Sequence, residues 1–227
     1  IGVIGQKKLL QSKILVIGVG GLGCPVVDSL ARAGVGEIGI VDNDNISLSN
    51  IHRQTLFNND DLGKSKVLIV KNKIRKINSK IKIKIFKKKI DKKNINFIAK
   101  NFKYIIDGSD NFKTKLLLND YCRKKKKILI SGAISKFDGH VFSFDFKKVN
   151  SPCLRSFFQF LDPDEDFFNC EEDGVVGTIS SIIGNIQANE VLKKILNIGK
   201  LLENEVLIIN ILNLTLRKVK IKKLENT

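Results

Sequence analysis

Short apolar runs alternate with amphipathic stretches through the first half of the chain. Lys13-Ile14-Leu15-Val16-Ile17 is apolar and ends in glycines, which predicts a buried strand. Over residues 21–33, Val26, Val27, Leu30 and Ala31 share one helical stripe, and Gly34 marks where that helix should stop. Glu37-Ile38-Gly39-Ile40-Val41 predicts a second buried strand. Within residues 63–78, Val67, Val70, Ile74 and Ile77 recur at helical spacing, whereas Ile81, Ile83 and Ile85 alternate with Lys80, Lys82 and Lys84 as in a strand with one wet face. Tyr104-Ile105-Ile106-Asp107 and Ile128-Leu129-Ile130-Ser131 are further buried strands, with a helix expected over 111–124 between them. Strand following helix in this way predicts an α/β fold: a doubly wound, Rossmann-like, mainly parallel sheet.

After Gly132 the rhythm changes. Val141-Phe142-Ser143-Phe144-Asp145-Phe146 suits a strand that turns back antiparallel. Residues 150–173 hold prolines, acids and phenylalanines without periodicity and are expected to form a long loop. A helix over 177–197 and strands at Val206–Asn210 and Leu214–Ile221 close the chain, so the C-terminal strands should be antiparallel.

A hydrophobic fraction of 43% over 227 residues suffices for the core of one domain. No apolar run approaches the roughly 18 residues of a membrane span, and Lys7 and Lys8 follow a glycine-broken start, so neither a membrane segment nor a signal peptide is expected. Methionine is absent, so Ile1 is not expected to be the translational start. The net charge is +17, from 40 basic and 23 acidic residues. The excess is lysine, spread over 64–103, 124–127 and the C-terminal Lys218, Lys220, Lys222 and Lys223, with few aromatic residues interleaved. That pattern predicts a solvated basic surface and no nucleic-acid groove, although such a surface steers anions. Cys24, Cys122, Cys153 and Cys170 form no C-x-x-C pair, which suits a reducing, cytoplasmic setting.

Candidate chemistry begins at Gly18-Val19-Gly20-Gly21-Leu22-Gly23. Gly18, Gly20 and Gly23 match G-x-G-x-x-G between a strand and a helix: the first two allow a tight turn and close backbone approach, and the third lets helix and strand pack. The helix start offers unpaired N–H groups to phosphate. Asp42, at the end of the second strand, is placed to accept hydrogen bonds from both ribose hydroxyls. These features alone fit an ATP enzyme or a nicotinamide- or flavin-dependent oxidoreductase. Ser49-Asn50-Ile51-His52-Arg53-Gln54 adds polyphosphate chemistry, with Arg53 suited to bidentate phosphate contacts. Lys66 suits an α-phosphate, and Asp110, just past a strand's C-terminal end, suits magnesium. Each has an ordinary alternative: a surface arginine, a solvated lysine, a helix N-cap.

These strings together resemble the MoeB/ThiF/HesA family, bacterial relatives of ubiquitin-activating enzymes. Ile4-Gly5-Gln6-Lys7-Lys8-Leu9, Ala33-Gly34-Val35-Gly36, Gly63-Lys64-Ser65-Lys66, Ser131-Gly132-Ala133 and Gly184-Asn185-Ile186-Gln187-Ala188-Asn189-Glu190 extend the likeness over almost the whole chain. The resemblance implies a single domain, with residues 1–132 as the nucleotide-binding half and 133–227 as the crossover loop and C-terminal strands that bind a carrier. It implies ATP-dependent adenylylation of the C-terminal glycine of a ubiquitin-like sulfur carrier ending in Gly-Gly, of the molybdopterin or thiamine type, and a homodimer. Gly21 and Asp42 would bind adenosine; Ser49, Asn50 and Arg53 would lie along the triphosphate; Lys66 would contact phosphate; Asp110, with Asn111 beside it, would help hold magnesium. A non-catalytic carrier-binding module is the alternative.

The chain also departs from that family. Many members hold zinc on two C-x-x-C pairs, but here the first reads Cys153-Leu154-Arg155-Ser156 and no cysteine follows Cys170, so no zinc is expected. Cys170 occupies the loop position of a cysteine that in some relatives bonds covalently to the carrier or takes part in sulfur transfer, beside Glu171, Glu172 and Asp173, which would oppose thiolate formation. Members of that family usually carry an arginine-bearing N-terminal arm, and the sequence given starts after that point.

Overall fold

The computed structural model describes residues 1–158 and 174–222. Its strands are β1 (Lys13–Ile17), β2 (Glu37–Val41), β3 (Lys82–Phe86), β4 (Tyr104–Asp107), β5 (Ile128–Ser135), β6 (Asp138–Asp145), β7 (Glu205–Asn210) and β8 (Thr215–Lys220). Its helices are α1 (Gly2–Leu10), α2 (Gly23–Arg32), α3 (Leu48–Ile51), α4 (Lys66–Ile77), α5 (Ile95–Ala99), α6 (Phe112–Lys124), α7 (Leu154–Phe157) and α8 (Gly177–Leu196).

The eight strands among the described residues form one sheet in the order β3-β2-β1-β4-β5-β6-β7-β8. β1 to β5 are mutually parallel, and β6, β7 and β8 are added antiparallel. The parallel strands are apolar on both faces because helices cover both. Ile14, Val16, Ile38, Ile40, Ile106 and Ile130 meet α2, α4 and α8 on one face. Leu15, Ile17, Val41, Ile105 and Leu129 meet α5, α6 and α7 on the other, joined there by Phe142 and Phe144 of β6. The expected doubly wound sheet with antiparallel C-terminal strands is therefore what forms. Edge strand β8 is exposed throughout and carries Arg217, Lys218 and Lys220, charges that discourage strand addition.

Several boundaries differ from the pattern. Helix α1 was not evident because it buries only Gly5 and Leu9. Helix α4 starts at Lys66 rather than Gly63, since Ser65 is extended and cannot belong to the helix. β5 continues through Gly132 to Ser135 because β6 pairs with its full length, so residue 132 lies inside a strand shared by both halves. Within the expected 150–173 loop, Leu154–Phe157 is a short helix; Leu154 N–H is taken by Asn119 Oδ1 at 2.9 Å. Helix α8 buries Ile179 and Ile183 and leaves Ile182 40% exposed, so its isoleucines divide between core and surface.

Candidate active site

Strand order reverses between β1 and β4, which run side by side but connect to helices on opposite faces. The ends of such strands diverge and leave a crevice. Gly18 follows β1 with φ +80°, a left-handed conformation; a Cβ there would also lie 2.8 Å from the carbonyl oxygen of Gly108, which follows β4. A Cβ on Gly23 would lie 2.0 Å from Gly18 O, so the third glycine of the fingerprint serves the packing of turn against helix. Gly18, Gly20 and Gly21 line the crevice. Helix α2 has no side-chain cap at its start, but the expected row of unpaired N–H groups does not form there: Cys24 N–H is taken by Gly20 O at 3.0 Å, Val26 N–H by Leu22 O at 3.4 Å, and Pro25 has none to give.

Asp42 leaves β2 at the same edge. Its Oδ2 accepts from Val19 N at 2.9 Å and its Oδ1 from Asp44 N at 2.8 Å. Burial pushes the Asp42 carboxyl above its usual range, and the Lys66 charge and the two N–H bonds only partly offset that. Lys66 opens α4 with its side chain 6% exposed; its Nζ meets Asp44 Oδ2 at 3.0 Å, and its N–H bonds Asp44 O at 3.1 Å. The ribose candidate and the phosphate candidate are thus joined through Asp44.

Arg53 also lines the crevice, its Nη1 donating to Ser49 O at 3.1 Å and lying 2.7 Å from His52 Nε2. Asp110 projects from the turn after β4 and lines the crevice with Asn111. Asn111, not Asp110, caps α6, its Oδ1 accepting from Thr114 N at 2.9 Å. Asp110 is exposed, and among the described residues its hydrogen bond is a long one, 3.4 Å from Asn111 Nδ2.

Arg53, Lys66, Asp42, Asp110 and the glycine loop therefore meet in one crevice. Ser49, Asn50 and Gly23 are not on its wall. The Ser49 hydroxyl is 3.0 Å from Ser47 Oγ, and buried Asn50 offers its carbonyl to Arg53 N and Gln54 N, so this short turn orients Arg53 rather than facing the cavity. Cys170 lies outside the described residues. Cys153 is buried, its Sγ 3.6 Å from Ser156 Oγ.

The crevice also holds residues the sequence did not single out for the site: Asp44, Gln54, Lys88, Lys89, Ser109 and Lys115. Gln54 is buried, and among the described residues its Oε1 has no hydrogen-bond partner, an arrangement that awaits a ligand donor. Lys115 had a readable signal, since with Leu118 and Cys122 it falls on the inward stripe of a helix where a lysine needs a reason.

The model of the ThiF family matches residues 1–227. The chain belongs to the ThiF family. Among ThiF-family relatives, "Adenylyltransferase and sulfurtransferase MOCS3" of Aedes aegypti is 37% identical over 222 residues, covering 98% of this chain and 50% of that protein. The "Sulfur carrier protein adenylyltransferase" of Thermus thermophilus is 34% identical over 226 residues, covering 98% of this chain and 83% of that one. The chain spans about half the length of the MOCS3 proteins it matches. Among solved structures, E. coli MccB with ATP superposes with a TM-score of 0.83 at 22% identity, over 99% of this chain and 68% of that one, a likeness of fold. Among the described residues no helix is long and apolar enough to cross a membrane.

Proposed function

We propose that this chain uses ATP to adenylylate the C-terminal glycine carboxylate of a ubiquitin-like sulfur carrier ending in Gly-Gly. The observation that carries the proposal is the convergence of Arg53, Lys66 and Asp110 with the glycine loop and Asp42 in one crevice. A cradle with Asp42 alone would serve many nucleotides; the added cations and the carboxylate suit phosphoryl chemistry. The names of the Aedes and Thermus relatives support the same reading.

In the reaction a carboxylate oxygen of the carrier bonds to the α-phosphorus of ATP, the bond from that phosphorus to the bridging oxygen breaks, and pyrophosphate leaves with the electron pair. An anion approaches an anion, so the obstacle is electrostatic. Lys66 and Arg53 lower it by presenting fixed positive charge to the phosphates. Lys66 arrives pre-oriented because Asp44 holds both its backbone and its ammonium. Asp42 accepts from the ribose, and the unsatisfied Gln54 Oε1 accepts from a further ligand donor. The carrier carboxylate is already ionised near neutrality, so no general base is required. The Asp110 carboxylate, exposed and lightly bonded, fits a hard divalent cation, with Asn111 beside it. Bound magnesium would neutralise phosphate charge there.

Residues 133–227 form the carrier-binding half in this proposal, beside a nucleotide-binding half of residues 1–132. The chain acts in the cytoplasm as a homodimer, with the exposed Val3, Ile4 and Ile182 available to a partner copy. Incubation with ATP, magnesium, labelled pyrophosphate and a carrier ending in Gly-Gly should return label to ATP. The absence of exchange with every such carrier would sink the proposal.

A further inference from the structure

Beneath the crevice lies a polar node that the proposed chemistry does not use. Asp107, the last residue of β4, is fully buried. Its Oδ1 accepts from Ser109 N at 3.0 Å and Ser109 Oγ at 2.5 Å; its Oδ2 accepts from Ser131 Oγ at 2.6 Å and Lys115 Nζ at 3.2 Å. Lys115, 2% exposed, also donates to Ser109 O at 2.7 Å and Gly132 O at 2.5 Å. An ammonium has three donors, and all three are committed to protein acceptors. Gln187 of α8 closes the node by donating to Asp107 O at 2.8 Å.

Lys115 lines the same crevice as Lys66, yet the two lysines differ. Lys66 pairs with an exposed acid at the mouth, whereas Lys115 is bound on all sides at the floor. A buried ion pair is poor value for stability, because desolvation opposes the attraction. What this pair does is fasten the turn that carries Asp110 to the strand that carries Gly132 and Ala133.

We infer that Lys115 and Asp107 are positioning residues which hold Asp110 and the Gly132–Ala133 edge of the crevice in register for adenylyl transfer. The inference rests on the function proposed above. Three variants of the full chain test it: Lys115→Met, Lys115→Arg and Ser131→Ala. Each is measured for thermal melting, for ATP affinity by calorimetry across a magnesium titration, and for pyrophosphate exchange.

A misplacement of about 1 Å is worth about 100-fold in rate, so Lys115→Met should slow exchange by about that factor. It should also raise the magnesium concentration that half-saturates the gain in ATP affinity by at least about five-fold, since a displaced carboxylate binds the cation less well. Lys115→Arg should recover at least about ten-fold of the lost rate, because the guanidinium keeps the charge and several donors. Removing a buried lysine leaves Asp107 without its counter-charge, so Lys115→Met can fail to fold. Ser131→Ala removes one donor and no charge, and should fold with a magnesium midpoint raised at least about two-fold. If folded Lys115→Met melts lower but keeps the parent magnesium midpoint and exchange rate, the pair is merely structural and the inference falls. If Lys115→Met does not fold, an unchanged midpoint and rate in Ser131→Ala overturns it. A parent chain that binds ATP and magnesium without exchange would sink the proposed reaction instead, and the calorimetric midpoints would still decide this point.

Discussion

At the scale of single residues, Asp42 serves fold and ligand at once. Burial raises its pKa above the usual 3.8, against the pull of Lys66 and the N–H groups of Val19 and Asp44. A carboxyl with a raised folded pKa binds its proton more readily folded than unfolded. Its penalty on stability is therefore full above the folded pKa and is relieved as pH falls through the window between the folded and unfolded values. Loss of ATP binding in that window would thus reflect the lost acceptor, not unfolding driven by Asp42. Calorimetry in mild acid should show ATP affinity falling above the ordinary carboxylate range. Asp42→Asn should bind about ten-fold or more weakly, with little of that pH dependence. Lys66→Met should cut exchange by about 100- to 1,000-fold, as loss of a preorganised charge does. Its stability should stay within about 1 kcal/mol in a thermal melt, because Asp44 is exposed and is not left buried without a partner. Arg53, Lys66 and Asp110 were readable because each stands in a short string, Ser49–Gln54, Gly63–Lys66 and Asp110-Asn111, that resembles the family's motifs. Lys115 carried a subtler signal, a lysine on the inward stripe of α6 with Leu118 and Cys122; Asp44 carried none, because it acts through Lys66, which only the folded chain brings beside it.

At the scale of elements, the contact between the glycine turn and α2 is the most constrained in the nucleotide cradle. Gly23→Ala would put a Cβ 2.0 Å from Gly18 O. Backbone cannot yield as a side chain end would, so a loss of about 3 kcal/mol or more is expected in urea titration, together with loss of ATP binding. Gly63→Ala is the control. That residue has φ +74° but nothing within 4 Å, so only the left-handed strain of about 1 kcal/mol applies. The parallel strands were legible because burial on both faces makes them unbroken apolar runs. The limits of β5 and β6 were not, since they are set by pairing with each other, a long-range event that leaves no local mark. The helix in residues 154–157 has four residues, too few to display a period.

At the scale of the molecule, the two proposed halves share one sheet. β5 lies between β4 and β6, and α8, from the C-terminal half, covers α2 and the β1 side of the core. A chain cut after Gly132 would expose Ile106, Ile130 and the α2 stripe, so it should show no cooperative melt by circular dichroism, whereas the full chain should. The fold was legible at this scale from the alternation of elements; the dependence of the nucleotide half on α8 was not, because it rests on Gln187 and neighbours that look like ordinary helix positions. The central claim is that a carrier's terminal carboxylate attacks the α-phosphorus of ATP in this crevice. The most direct test uses a carrier whose terminal glycine carboxylate is labelled with heavy oxygen, followed by mass analysis of the nucleotide released when a thiol cleaves the product. The account predicts AMP carrying one labelled oxygen and unlabelled pyrophosphate. Formation of ADP and phosphate, or AMP without label, would contradict it.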